Sequence, residues 1–297
     1  MINLHHLRLF TAVVDSHGFT KAAATLRLSQ PAISKSLNEL EKQLHVKLLD
    51  RGGRSIKLTD AGRTLYERAS ELFGIERVAE QELRELRGLK RGVLRIGAST
   101  TIATYMLPPV LGRFHTRYPR VRIQTTSTNT RTVLRMLLAF RVDVALVEGP
   151  VSHPRVDVRA WREDELVVIA PPDHPMVSQG PVDVATLAQQ TFLVREPGSG
   201  TREVSERALA VHGVRLTRTM RVGGTEAIKQ GVAAGLGVAI VSRAAALDQL
   251  ALGKLAILPV TGLSIRRALT QLTLRGWSPT PAARELGLLL DEEGMEG

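Results

Sequence analysis

Phe19-Thr20-Lys21-Ala22-Ala23, then Ser29-Gln30-Pro31-Ala32-Ile33-Ser34, then Leu40-Glu41 is the stretch that decides the fold. Thr20 is placed to cap a short helix whose alanines, Ala22 and Ala23, permit close approach of a neighbouring helix. Ser29 is placed to cap another, with Pro31 in its first turn, where a missing N–H costs nothing. Ile33, Leu37, Leu40 and Leu44 carry its apolar stripe onward. Upstream, Leu4, Leu7, Phe10, Val13 and Val14 recur at helical spacing until Gly18 stops them. A short helix, a tight turn and a capped helix make a helix-turn-helix.

Downstream, residues 46–49 and 56–58 read as short strands around the glycine turn Arg51-Gly52-Gly53-Arg54, a wing with two arginines at its tip. Thr59 caps a predicted long helix from residue 60 to about 89. Leu65, Leu72, Ala79 and Leu86 recur along it every seven residues, and Ala69, Ile75, Leu83 and Leu89 widen the stripe. Such a stripe commonly packs on its own domain. This one outruns a small winged unit, so a dimer seam accounts for it better.

Composition agrees with a DNA-binding reading and closes other routes. The chain has 297 residues, enough for two or three domains. It carries a net charge of +11 with 43% hydrophobic and 23% charged residues, so it is globular and basic rather than disordered. Residues 1–60 hold nine Lys and Arg against five Asp and Glu, the most basic stretch per residue. No cysteine is present, which excludes disulfides, thiol redox sensing and Cys-ligated metal. The eight histidines form no ligand-spaced cluster, so no metal or cofactor is expected. The longest apolar run, Val232 to Val241, is too short for a membrane helix. His5, His6 and Arg8 interrupt the N-terminal hydrophobics, which argues against a secretion signal and for the cytoplasm.

The run from Leu7 to Arg51, including Leu48-Leu49-Asp50-Arg51, together with Leu58-Thr59-Asp60-Ala61-Gly62, resembles the N-terminal signature of LysR-type bacterial transcriptional regulators. Asp50 stands where that family more often has Glu, an equally acidic residue. The resemblance implies an α/β protein: a winged helix-turn-helix at 1–59, a linker and dimerisation helix at 60–91, and an effector-binding domain at 92–297. It further implies two subdomains of periplasmic-binding-protein type, about 92–162 with 267–297 and about 163–266. The chain would cross between them near Arg162, return near Arg267 and enclose a ligand cleft. Operator DNA, a small effector and a second copy of the chain, as dimer or tetramer, are the expected partners, with RNA polymerase as a further candidate.

A helix laid in the major groove presents its N-terminal residues to base edges. Gln30, Pro31, Ala32, Ser34, Lys35 and Asn38 are therefore the candidate readers. Gln30 has the donor and acceptor to pair with adenine, Pro31 and Ala32 suit a thymine methyl, and Lys35 suits guanine or phosphate. Ser29 and Thr20 are better placed for phosphate. At the wing, Arg54 suits a narrowed minor groove, while Arg51 is equally suited to an ion pair with Asp50 or Asp60.

Beyond residue 92, strands at 93–97, 121–126, 143–147, 165–170, 191–194, 220–222 and 237–241 alternate with helices, one of them at about 107–118. This alternation predicts an α/β fold with mainly parallel sheets. In such sheets ligands sit at strand carboxyl ends, beside helix N-termini. Ser99, Thr100, Thr101, Thr128 and Asn129 are the candidate ligand groups on one side. Arg195, Ser199, Gly200, Thr201, Arg202 and Thr225 are those on the other, and the loop Arg195-Glu196-Pro197-Gly198-Ser199-Gly200-Thr201-Arg202 suits an anion. That loop also resembles the subgroup controlling carbon dioxide fixation or sulfur assimilation genes, which implies phosphorylated metabolites, nicotinamide nucleotides or sulfur oxyanions as effectors. Gly-Ser-Gly lacks the rest of a hydrolase elbow, and Lys229 and Lys254 lie in no recognisable Schiff-base setting, so no catalytic residue is assigned. The rival readings are an enzyme of similar two-lobed fold and a nonspecific nucleoid protein.

Overall fold

The computed structural model describes residues 1–50, 56–86 and 92–296, without the side chains of 81, 82, 84–86, 295 and 296. It divides into two compact units, Met1–Glu80 and Gln81–Gly297.

In the first unit, α1 (Leu4–Asp15), α2 (Phe19–Leu26) and α3 (Gln30–Leu44) enclose a core built on Leu7, Phe10, Val13, Ala22, Ile33, Leu37 and Leu40. Ser29 caps α3 as its position in the sequence implies, its hydroxyl accepting the Ala32 N–H at 3.3 Å. Thr20 does not cap α2. That helix starts two residues earlier than a Thr20 cap would place it, at Phe19, behind an extended Gly18 whose N–H closes on the Val13 carbonyl at 3.1 Å. Phe19 packs on the core, and burying that ring extends the helix past the expected cap.

The wing is shorter than expected: β1 (Leu49–Asp50) pairs antiparallel with β2 (Lys57–Leu58). Arg51 and Arg54 lie outside the described residues. Glu41, buried near the end of α3, fastens the wing: its carboxylate accepts the Leu48 N–H at 2.8 Å and pairs with Lys47 at 2.9 Å. Thr59 accepts the Gly62 N–H at 2.9 Å at the start of α4 (Asp60–Leu86). Gly62 is needed for contact rather than flexibility, because a Cβ there would lie 2.0 Å from the Leu48 carbonyl oxygen.

The first turns of α4 dock on α1. Tyr66 donates to Asp15 at 2.6 Å, and Arg8 pairs with Glu76 at 2.6 Å while lying over the Phe73 ring. Leu65, also assigned to the seam, is half-buried against this same core. Leu72, Ile75, Ala79 and Leu83 are exposed along the helix. The Leu86 side chain lies outside the described residues.

The second unit is built as β3 (Val93–Ser99), a π-helical turn (Ile102–Met106), α5 (Leu107–Arg117), β4 (Arg122–Thr128), α6 (Thr130–Leu138), β5 (Val144–Glu148) and β6 (Val156–Ala170). It continues through α7 (Pro175–Ser178), α8 (Val184–Ala188), β7 (Phe192–Val194), α9 (Gly200–Val211), β8 (Thr219–Arg221) and α10 (Thr225–Ala233). The remainder is β9 (Ala239–Ser242), α11 (Arg243–Ala251), β10 (Ala256–Ile257), β11 (Ile265–Leu274) and α12 (Pro281–Glu296). One lobe packs β3 and β5 against α5, α6 and α12, and the other packs β7 and β9 against α9, α10 and α11.

Two long strands run through both lobes. β6 and β11 pair antiparallel, and the sheet order β10-β6-β11-β5-β3-β4, with β9 also on β6, makes one seven-stranded sheet among the described residues. The expectation of mainly parallel sheets is thus corrected. β3 does pair in parallel with β4 and β5, and β7 with β8, but every pairing of β6 and β11 is antiparallel, because the chain crosses and returns. Arg162 and Arg267 lie on these two strands, where the crossing was expected. Helix also follows β3 directly at Thr100 instead of after a loop. Its π turn precedes Pro108 and Pro109, whose rings would meet the carbonyls of Thr104 and Tyr105 in regular α geometry.

Candidate functional site

On the first unit, the residues read as base contacts lie in the first turns of α3. Gln30, Pro31, Ala32 and Lys35 are exposed, Ser34 and Asn38 are half-buried, and Thr20 and Ser29 lie exposed nearby at the helix starts. Ile33, Leu37 and Leu40 anchor the helix in the core, while Gln30, Pro31, Ala32 and Lys35 at its start are exposed.

The second unit brings its candidate residues together in two groups. The first surrounds a carboxylate. Glu148, at the end of β5 and fully buried, accepts hydrogen bonds from Ser99 and, at 3.2 Å, from Thr201. Arg267 donates to Thr201 at 2.8 Å and pairs with Asp164 at 2.7 Å, and Ser242 donates to the other Asp164 oxygen at 2.7 Å. Burial pushes the Glu148 carboxyl up, opposed by the nearby Arg267 and Arg195 charges and the Thr201 hydrogen bond. Ser99 and Thr201 are thus engaged with a buried acid. Thr101 is buried at the start of the helical turn. Gly200 is pressed on the same strand end: a Cβ would lie 1.9 Å from the Glu148 carbonyl oxygen. Thr130 donates to that carbonyl at 3.0 Å.

The second group centres on Arg195, which is buried at the end of β7. Its guanidinium donates to Thr100 at 3.3 Å, on the first lobe, and to Thr225 at 3.2 Å, at the start of α10 on the second. Its Nε and one Nη chelate the two Glu196 carboxylate oxygens, each at 2.9 Å. Thr100 donates weakly to the Thr128 carbonyl at 3.5 Å. Asn129 caps α6 through the Thr132 N–H at 3.0 Å. Burial raises the Glu196 pKa, but Arg195, the backbone and Asn129 outweigh it and hold the carboxyl below its ordinary range.

Arg202 takes another direction. Its guanidinium pairs with Glu206 at 2.7 Å and donates to the Arg195 carbonyl at 3.0 Å, while its N–H goes to Ser199 at 3.4 Å. Ser199 is thus an N-cap, and the arginine that joins hydroxyls from both lobes is Arg195. Sequence reasoning missed Glu148, Asp164 and Arg267 as site residues. The one local signal was an acid ending an apolar strand at Val144-Ala145-Leu146-Val147-Glu148.

Comparison with known proteins agrees with both units. The family model for the bacterial regulatory helix-turn-helix protein, lysR family, matches residues 4–63, and that for the LysR substrate binding domain matches 87–294. The RuBisCO operon transcriptional regulator of Allochromatium vinosum is 35% identical, over 95% of this chain and 93% of its own. The HTH-type transcriptional regulator YeiE of Escherichia coli is 40% identical, over 86% of this chain and 85% of its own. The CcmR regulatory domain of Synechocystis in complex with 2-PG superposes with a TM-score of 0.64 at 27% identity, covering 69% of this chain and 98% of that domain. With its helix-turn-helix, its two-lobed effector-binding domain and these relatives, the chain belongs to the LysR family of transcriptional regulators.

Proposed function

We propose that this regulator binds operator DNA as a dimer or higher oligomer and answers to a small oxyanion held at Arg195. The supporting observation is the Arg195 guanidinium itself: buried, cationic, and hydrogen-bonded to Thr100 and Thr225 from opposite lobes. An anion held there shares its binding energy with both lobes, so its affinity depends on their arrangement. The 2-PG complex of the CcmR domain and the RuBisCO-operon relative support a phosphorylated carboxylate as the chemical class. The proposed division is 1–59 for DNA, 60–91 for the linker helix and 92–297 for the effector. Gln30, Ser34, Lys35 and Asn38 read bases, and Thr20 and Ser29 hold phosphate. The exposed Leu72, Ile75, Ala79 and Leu83 form the helix seam. No catalytic role is proposed, since Ser199 is spent on capping α9 and the relatives are named as regulators. The protein acts in the cytoplasm, and among the described residues no helix is long and apolar enough to cross a membrane.

The test is a thermal-stability and DNA-shift titration of the full chain with 2-PG, inorganic phosphate and uncharged analogues. An anion that binds the folded state raises the melting temperature by mass action, and Arg195→Ala removes that rise. Coupling to operator DNA of about 1–3 kcal/mol is expected, equal in both directions. Response only to uncharged or cationic compounds would overturn the anionic effector.

A further inference from the structure

The donors best suited to an oxyanion are already engaged, and by the protein's own acid. Arg195 offers a planar fork, and its Nε/Nη edge is the edge that grips carboxylate or phosphate through two parallel hydrogen bonds. Both bonds go to Glu196, each at 2.9 Å. Adjacent residues rarely gain from such chelation on an open surface, but here the arginine side chain is 6% exposed and the glutamate 32%. The pairing therefore leaves a buried cation neutralised and a half-buried anion with a route to solvent.

We propose that Glu196 is a built-in occupant of the effector's anion site, a carboxylate that an incoming oxyanion must displace from Arg195. This rests on the anionic-effector reading above and names what sets that site's affinity. The neighbouring contacts fit an exchange. When Glu196 swings out, Arg195 stays oriented by Thr100 at 3.3 Å and Thr225 at 3.2 Å, so the fork does not collapse with its partner gone. The backbone behind Glu196 is pinned as well: its carbonyl accepts the Ser199 N–H at 3.2 Å, and the Gly198 carbonyl accepts the Arg131 N–H at 3.2 Å. Only the Glu196 side chain has to move. The ligand favoured is an oxyanion with at least two acceptor oxygens and more charge than one carboxylate, since a plain monocarboxylate gains nothing over the occupant it replaces. Glu196 is in this sense a specificity-determining residue.

Displacement lowers apparent affinity by the fraction of molecules in which the fork is free. Removing the competing charge should therefore tighten oxyanion binding about tenfold or more, the scale of one charge-assisted hydrogen bond. The experiment is isothermal titration of the full chain with 2-PG, inorganic phosphate and sulfate, on wild type, Glu196→Gln and Glu196→Asp. The expected result is tightest binding by Glu196→Gln, with Glu196→Asp between it and wild type, because the shorter acid cannot chelate its neighbour's fork. If Glu196→Gln does not fold, Glu196→Asp decides by the same criterion. Wild type binding as tightly as the variants, or more tightly, overturns the built-in occupant and leaves the anionic effector standing. Failure of all three proteins to bind any of the three oxyanions overturns both, because a freed guanidinium fork must at least take sulfate.

Discussion

Glu41 in the helix-turn-helix unit and Glu148 in the effector unit are both buried acids, yet their surroundings shift them in opposite directions. Burial works against the charge of Glu41, but Lys47 and the Leu48 and Leu49 N–H groups outweigh it, so its carboxyl sits below the ordinary range. Burial dominates at Glu148 and holds it above that range, despite Arg267, Arg195 and Thr201. The first acid closes a local corner with Lys47, Leu48 and Leu49, six to eight residues along the chain. The second joins chain segments far apart: its partners Ser99 and Thr201 are 49 and 53 residues away. A unit that only has to hold one helix for DNA can satisfy its polar groups locally. A unit whose lobes are tied around a ligand gathers them from everywhere, and there desolvation is hardest to offset.

The largest effect separating the two units should come from Arg267→Ala. The substitution strips the cation from buried Asp164, which Arg267 meets at 2.7 Å, and removes a donor to Thr201. Loss of one partner from a buried pair costs about 3–5 kcal/mol, mostly through the stranded charge. Chemical denaturation should show the effector unit melting early while the first unit keeps its stability. A uniform small loss across both would mean that solvent reaches Asp164.

Next in size is the pH response of the two acids. Glu41→Ala leaves the buried Leu48 N–H without its acceptor and should cost about 1–3 kcal/mol at neutral pH. The Glu41 pKa is depressed in the fold, so its contribution is present above the unfolded pKa and lost as pH falls through the folded one. The Glu148 pKa is raised, so its contribution is complete below the unfolded pKa and declines as pH rises through the folded one. The stability gap between wild type and Glu41→Gln should therefore close in acid, and that between wild type and Glu148→Gln should widen. Denaturation midpoints across the acid range would show it, and two gaps moving in parallel would contradict the opposed environments.

What the sequence made legible follows the same division. Ser29 and Thr59 were readable because a cap and its target N–H lie within three residues, and the apolar periods of α1 and α3 repeat within a turn. Most of β6 escaped notice, because Arg159, Arg162, Glu163 and Glu165 interrupt its hydrophobic pattern where one face of the strand is exposed. β11 escaped too, with Arg266, Arg267 and Gln271 breaking its alternation, although the family resemblance placed a crossing there. Asp164 and Arg267 meet only through the pairing of these strands, 103 residues apart, and no local pattern announces such a contact. The glycine loop was read as one anion-suited loop and not as two separate groups, since Arg195 and Arg202 stand symmetrically around it and only packing turns Arg202 toward Glu206.

The smallest stability effect should come from the face of α3. Gln30 is exposed at the first position of the helix, behind the Ser29 cap, and no residue of the core depends on it. Gln30→Ala should move the unfolding free energy by less than about 0.5 kcal/mol, as surface substitutions away from caps and cores do. Its cost should fall on recognition instead: a side-chain amide has the donor and acceptor to pair with an adenine edge, worth about 1–3 kcal/mol against the wrong base. Phosphate contacts position the protein without reading sequence, so binding to unrelated DNA should be nearly unchanged. Fluorescence anisotropy on cognate and scrambled duplexes at one salt concentration separates these terms. Equal loss on both would make Gln30 a backbone contact. A large loss of stability would mean that the open face of α3 carries part of the unit's fold, as the buried cluster does in the effector unit.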